Sequence, residues 1–189
     1  MARTPSHMIP LGTPAPDFEL RDVISGNLFR LHQDPAPVGT VVMFICNHCP
    51  FVRYVQPEMV RITREYLAKG IRFLAISAND ALQYPEDGPE HMREVAAELG
   101  YEFPYLYDET QQVALAFEAA CTPDFFVYDR ELKLVYRGQL DDARPGNDRP
   151  QDGKDMRAAL NALLEDQPVS PLQKPSLGCN IKWKMEKTV

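Results

Sequence analysis

The sequence predicts an α/β domain with a central mixed sheet flanked by helices, and three observations carry that reading. Val41-Val42-Met43-Phe44-Ile45 is apolar at every position, the pattern of a strand covered on both faces. A helical stripe follows it, with Val52, Val55, Met59, Ile62 and Tyr66 recurring at spacings of three and four. The alternation then repeats: residues 71–77 form a second buried strand, and residues 89–99 a helix opened by Pro89 and stopped by Gly100.

The other elements fall around this core. Residues 17–20 and 27–31 predict an N-terminal hairpin turning at Ile24-Ser25-Gly26. The helix after the first buried strand ends near Lys69-Gly70, and Pro57 inside it predicts a kink or a separate first turn. Residues 103–107 read as a short strand, and Asp108 with Gln111 has the spacing of a capping box opening a helix through Phe117; together they form an inserted β-α unit. Residues 124–129 and 132–137 are two further strands reversing at Asp129-Arg130. Met156, Ala159, Leu160 and Leu163 mark the core face of a last helix, and Pro168, Pro171 and Pro175 forbid regular structure beyond it. The expectation is one domain over residues 1–189, with a core of about 12–165 and an extended tail, 166–189, docked on the body.

Composition narrows the function classes. At 189 residues, 44% apolar and 25% charged, the chain is sized and composed for one hydrophobic core, not for disorder. A net charge of −7 argues against nucleic acid or an anionic membrane surface as the partner, and no apolar run approaches the ~18 residues of a membrane span. The first residues carry Pro5, Pro10, Pro14 and Pro16 and no apolar stretch of signal-peptide length, so the expected address is the cytoplasm. In a reducing compartment four cysteines are reactive, metal-binding or simply buried.

Cys46-Asn47-His48-Cys49-Pro50 decides between these. A Cys-x-x-Cys is half of a metal site or a redox dithiol. A buried strand ending at the first cysteine and a helix starting within the motif bring the Cys46 sulfur to unpaired backbone N–H groups, where a thiolate is stabilised. Such a thiol falls from about 8.5 into the ~3.5–7.5 range and becomes a nucleophile. Cys49 would then resolve the mixed disulfide, and His48 would add a dipole or, protonated, a positive charge that makes the disulfide more oxidising.

A buried strand, then CxxC-Pro, a proline-containing helix, a β-α repeat and Thr122-Pro123 before the last strand pair resemble the thioredoxin fold. The hairpin introduced by Pro16-Asp17-Phe18 and the inserted unit are similar to the branch containing peroxiredoxins, the alkyl hydroperoxide reductase and thiol-specific antioxidant (AhpC/TSA) group, and thioredoxin-like cytochrome-maturation proteins. Phe44-Ile45-Cys46-Asn47-His48-Cys49-Pro50, Thr122-Pro123-Asp124-Phe125-Phe126 and Gly178-Cys179-Asn180-Ile181-Lys182-Trp183-Lys184 together resemble a bacterial redoxin subfamily. The resemblance implies that Pro123 is a cis proline facing the dithiol, with Thr122 offering its backbone to an extended substrate; X-Pro is the one peptide bond with an accessible cis state.

The departures are specific. Thioredoxin has Trp-Cys-Gly-Pro-Cys, whereas Ile45 precedes Cys46 here and Asn47-His48 separates the cysteines, nearer to the x-His pattern of thiol oxidants and isomerases. Thioredoxin also has a buried acid in the strand before its dithiol, and no Asp or Glu lies between Asp34 and Cys46, so His48 or a more distant carboxylate must handle the proton. The peroxiredoxin pattern Pro-x-x-x-Thr-x-x-Cys places Gly39 and Met43 against Cys46, and Val42 and Cys46 against Cys49, and fails in both registers.

Cys121, two residues before Pro123, reads as a buried small hydrophobe or as a redox or ligand thiol. In an extended tail Cys179, Ile181 and Trp183 share one face, so the tail is expected to dock over the dithiol with Trp183 as its anchor and to bring Cys179 within exchange distance. Asp141-Asp142 with Arg144 reads as a surface ion pair. Asn79, Asp80, Arg137 and Arg144 read as solvated loop residues in preference to cleft lining, and His7, His32 and His91 as structural.

The expected function is a cofactor-free thiol-disulfide oxidoreductase working through Cys46 and Cys49, with His48, Thr122, Pro123, Cys121 and Cys179 as accessory residues. Its partners would be protein or small-molecule disulfides or hydroperoxides and a thiol reductant such as a thioredoxin or glutathione system. Two alternatives stand beside it: a peroxiredoxin-like peroxidase, and a metal-binding or thiol sensor module, since Cys₄ and Cys₃His are common zinc sets.

Overall fold

The computed structural model describes residues 3–33, 36 and 38–184. Ten strands and four helices are present among them: β1 (Arg3–Pro5), β2 (Glu19–Asp22), β3 (Leu28–Arg30), β4 (Gly39–Phe44), α1 (Pro50–Leu67), β5 (Ile71–Ser77), α2 (Pro89–Leu99), β6 (Tyr105–Tyr107), α3 (Gln112–Ala116), β7 (Cys121–Thr122), β8 (Asp124–Tyr128), β9 (Leu134–Gly138), α4 (Lys154–Leu164) and β10 (Leu177–Asn180). A short 3-10 turn, Pro85–Asp87, precedes α2. None of the described helices is long and apolar enough to cross a membrane.

Seven strands form the main sheet in the order β3-β2-β6-β5-β4-β8-β9. The β4-β5 and β5-β6 pairs are parallel, while β8 and β9 run antiparallel on one side and the β2-β3 hairpin on the other. Alternation along β4 explains why its sequence is apolar throughout. Val41 and Met43 face a core built with α1, α2 and α4, whose contributions include Val52, Met59, Met92 and Leu160. Val42 and Phe44 face a second core with Leu31, Phe117, Phe126 and Tyr128. There the Phe117 ring lies 5.5 Å from both Phe44 and Phe126.

A second, smaller sheet orders β1-β10-β7, all antiparallel, so a tail strand lies between the first strand and the two residues before Pro123. The 168–175 segment is without regular structure, as its prolines require.

Several local expectations change. Helix α1 runs unbroken through Pro57. Residues 108 and 111 form no capping box: Gln111 is the N-cap of α3 with a positive φ and makes no side-chain cap, while Asp108 instead accepts the Ala114 N–H at 2.8 Å. The Gln111 amide points away, to the Ala78 and Lys182 carbonyls. Asp141 and Arg144 form no ion pair. Asp141 is buried and accepts the Ala143 and Gly153 N–H groups, Arg144 binds the Asp141 and Ala143 carbonyls, and Asp142 pairs with Lys154 and Lys174.

Arg137 and Asp124 are fully buried and paired at 3.2 Å, with the guanidinium 4.3 Å over the Phe126 ring. Burial pushes the Asp124 carboxyl up to about 6, against the opposing pull of Arg137. The folded state therefore holds this proton more tightly than the unfolded chain. The contribution to stability is full below about pH 4 and is lost as pH rises through about 6, a span worth about 3 kcal/mol. In Asp124→Asn the fall in unfolding free energy between about pH 3 and about pH 8, followed by denaturant titration, is expected to flatten by about that amount, even though the unpaired Arg137 lowers stability at every pH. An unchanged slope would remove Asp124 as its source.

Candidate active site

The site is where β4 ends. The chain leaves the sheet at Ile45, passes through Cys46-Asn47-His48 and enters α1 with Cys49 as N-cap and Pro50 in the first turn. The Thr122-Pro123 peptide is cis and brings β7 against this loop. Cys46 Sγ lies 3.2 Å from Thr122 Oγ1, and Cys49 Sγ lies 3.2 Å from the Thr122 carbonyl oxygen, to which its S–H donates in the reduced protein. All four cysteines are reduced and buried.

Thr122 thus meets one sulfur with its hydroxyl and the other with its carbonyl. The neighbouring Cys49 sulfur holds Cys46 well above the ordinary thiol value, and burial and the negative charge of Asp87 push the same way. Cys49 moves down. The Cys46 S–H, the Cys179 S–H and the Val52 and Cys179 backbone N–H groups favour its charged form over the opposing effect of burial, although the Val52 contact falls short of a side-chain cap. In this closed arrangement the first negative charge of the pair therefore rests on Cys49, and not on the lowered Cys46 thiol expected from the sequence. The neighbouring sulfur and burial do most of this, and a carboxylate that the sequence did not reveal adds to it.

Asp87 closes the 3-10 turn and is fully buried. One oxygen accepts the Asn47 N–H at 2.7 Å and the His48 N–H at 3.2 Å; the other meets His48 Nδ1 at 2.5 Å and accepts the Asn79 side-chain amide at 2.8 Å. The His48 ring stacks on Tyr84 at 5.0 Å, and its Nε2 is buried with no partner among the described residues. Asn47 is fixed as well, donating to the Glu86 carbonyl and accepting from the Tyr105 hydroxyl. Asp87 is forty residues from the dithiol, and only the Pro85-to-Gly88 break before α2 marks its neighbourhood in the sequence.

The tail covers the opposite side. Cys179 pairs with Thr122 across β10 and β7, and its side chain contacts Cys49. Ile181 is 1% exposed while Trp183 is 39% exposed, so Ile181 and not Trp183 anchors the tail. Asn79 Oδ1 accepts the Lys182 N–H and Gln111 Oε1 accepts the Lys184 N–H, both at 2.8 Å. Asn79 and Arg137 are thus buried structural groups, not solvated loop residues. Cys121 lies on the other face of β7 from Thr122, where its S–H meets the Pro123 carbonyl at 3.6 Å and burial pushes its thiol up.

Cys46, His48 and Asp87 offer donor atoms within 4.8 Å of one another. His48 Nδ1 and Asp87 Oδ2 are nevertheless closer than two ligands on one zinc ion sit, which is about 3.2 Å for tetrahedral bonds of ~2.0 Å. The trio is arranged for proton transfer, a carboxylate orienting an imidazole beside a thiol. Asp87→Asn removes the charge that opposes a thiolate. The pH midpoint of the second thiolate of the pair, that of Cys46, followed by ultraviolet absorbance, is expected to fall, and an unmoved midpoint would exclude Asp87 as a determinant.

The AhpC/TSA family model matches residues 11–137. No curated protein matches the chain. Among solved structures, an uncharacterized conserved protein from Geobacillus kaustophilus is 60% identical over 98% of each chain, with a TM-score of 0.96. A hypothetical protein from Sinorhizobium meliloti 1021 is 47% identical over 96% of this chain and 99% of its own, with a TM-score of 0.94. The thioredoxin domain of a thiol-disulfide oxidoreductase from Bacteroides vulgatus shares the fold at 17% identity, covering 79% of this chain and 97% of its own with a TM-score of 0.60. With a thioredoxin-like sheet, a cis proline against a CxxC loop and a family match over two thirds of its length, the chain belongs to the AhpC/TSA family.

Proposed function

We propose that the protein is a cytoplasmic thiol-disulfide oxidoreductase exchanging electrons through Cys46 and Cys49. The observation that supports this most directly is the placement of the two thiols at the N-terminus of α1, with Thr122 against both sulfurs. A dithiol so placed keeps a thiolate available at neutral pH. Cys49 is walled by Thr122 and Cys179, so Cys46 is the sulfur an incoming disulfide meets.

In the reductive direction Cys46 passes its proton to Cys49 and its sulfur attacks one sulfur of the substrate disulfide. The substrate S–S bond breaks, one substrate thiolate leaves, and a mixed disulfide with Cys46 forms. Cys49 then gives its proton to the substrate thiolate that has left and attacks the Cys46 sulfur. That closes a Cys46–Cys49 bond, releases the second substrate thiolate and moves two electrons to the substrate in all. A thioredoxin or glutathione system would return the two electrons, and run backwards the same steps oxidise a dithiol. Neither a metal nor an organic cofactor enters.

Reduction of a model protein disulfide is expected to fall by ~10³-fold or more in Cys46→Ser and in Cys49→Ser, with Cys49→Ser accumulating the mixed disulfide on Cys46. Full activity in Cys46→Ser would overturn the assignment. Hydrogen peroxide provides the control arm: if it oxidises Cys46 faster than the protein disulfide does, the peroxidase alternative replaces this reading.

A further inference from the structure

We propose that Cys179 is a third exchanging thiol, which moves the disulfide from Cys46–Cys49 to Cys49–Cys179 and thereby bolts β10 across the edge of β7. The inference rests on the exchange proposed above and adds a second, isomeric oxidised state to it.

The argument begins with facing. Thr122 and Cys179 are directly opposite in an antiparallel pair, so their side chains leave the two strands on the same face. The Thr122 hydroxyl on that face reaches Cys46, and Cys179 contacts Cys49. Cys121, one position along β7, faces the other way and meets the Pro123 carbonyl. Of the two cysteines outside the motif, the strand geometry therefore selects one.

The contact is built into the fold. A Cβ on Gly178 would overlap the Thr122 carbonyl oxygen, so only glycine lets β10 approach this closely. Beyond Cys179 the tail backbone is held by side chains and backbone of the body: the Asn79 and Gln111 side chains accept from Lys182 and Lys184, the Asp80 N–H donates to the Lys182 carbonyl, and the Ile181 N–H reaches the Ala120 carbonyl. The strap packs on a buried sulfur, since Cys49 is 0% exposed. A covalent bond to Cys49 would hold it there.

The step is an isomerisation and needs no added oxidant or reductant. Starting from the Cys46–Cys49 disulfide, the Cys179 thiolate attacks the Cys49 sulfur. The Cys49–Cys179 bond forms, the Cys46–Cys49 bond breaks, and Cys46 leaves as a thiolate that takes up the proton Cys179 gave away. The protein stays oxidised by two electrons, with Cys46 again a thiol beneath a closed strap.

The test is a disulfide map of the whole chain equilibrated in glutathione buffers of graded potential, quenched with acid, alkylated, digested and read by mass spectrometry. The expected result is a Cys46–Cys49 loop together with a cross-linked Cys49–Cys179 peptide pair. Cys46→Ser is expected to lose two thiols in forming Cys49–Cys179, and Cys179→Ser to form the Cys46–Cys49 bond alone. Gly178→Ala, which lifts the strap, is expected to lower the cross-link yield at least about tenfold while the loop still forms. If the wild-type map contains only the Cys46–Cys49 loop at every potential, and Cys46→Ser carries glutathione on Cys49 with Cys179 reduced, the third thiol is overturned and the oxidoreductase stands. If neither disulfide forms in the wild type, the oxidoreductase falls first. Should Cys46→Ser not fold, the wild-type map alone decides.

Discussion

The site is organised around one buried carboxylate. An ionised group taken out of water is tolerable only with partners at nearly every lone pair, and Asp87 has them in Asn47, His48 and Asn79. These bonds tie the loop after β4 to the segment after β5, and Asn79 extends the tie to the tail through Lys182. Three stretches distant in sequence are thereby set around one pair of sulfurs. The same charge adds to the neighbouring sulfur and to burial in favouring the protonated form of Cys46, so the group that builds the dithiol loop also bears on its ionisation.

Around that centre the sheet acts as a rigid base. The β4, β5 and β8 strands are buried on both faces, and the dithiol extends from the end of β4 as the chain passes into α1. A loop projecting from so well-packed a strand has little freedom to drift, which is what a pair of sulfurs that must approach bonding distance requires. The covering side is different in kind. It is a two-residue strand and a four-residue strand held by backbone pairing, a few amides and the buried Cys179 and Ile181 side chains, a smaller set of contacts than holds the sheet.

Much of this was legible in the sequence, for physical reasons. Residues 41–45, 71–77 and 89–99 announce themselves because burial on one face or two writes a period into the chain, and the CxxC-Pro motif sits where strand and helix signals meet. Asp87 was not legible, because its role comes from a tertiary contact forty residues away and an isolated acid before a helix looks like an ordinary surface turn. The residues 108 and 111 had a capping spacing but a different fate: the Gln111 amide is worth more to the fold as a clamp on the tail than as a cap. The tail's alternation correctly put Cys179 and Ile181 on the buried face, yet Trp183 lies beyond the last residue that finds a pocket. Arg137 and Asp124 show the same limit, since two opposite charges thirteen residues apart carry no sign that they will be buried together.

The strap is not made by the tail alone. Its outer edge is closed by β1, and Ser6 and Ser176, separated by 170 positions, exchange hydrogen bonds at the end of that pairing. The cover over the dithiol is therefore a two-ply seam stitched from opposite regions of the chain. The segment around Arg3–Pro5 is therefore in direct register with a cysteine nearly the whole length of the chain away, and a stretch that looks like decoration on the fold is part of the same small sheet as the residues before Pro123.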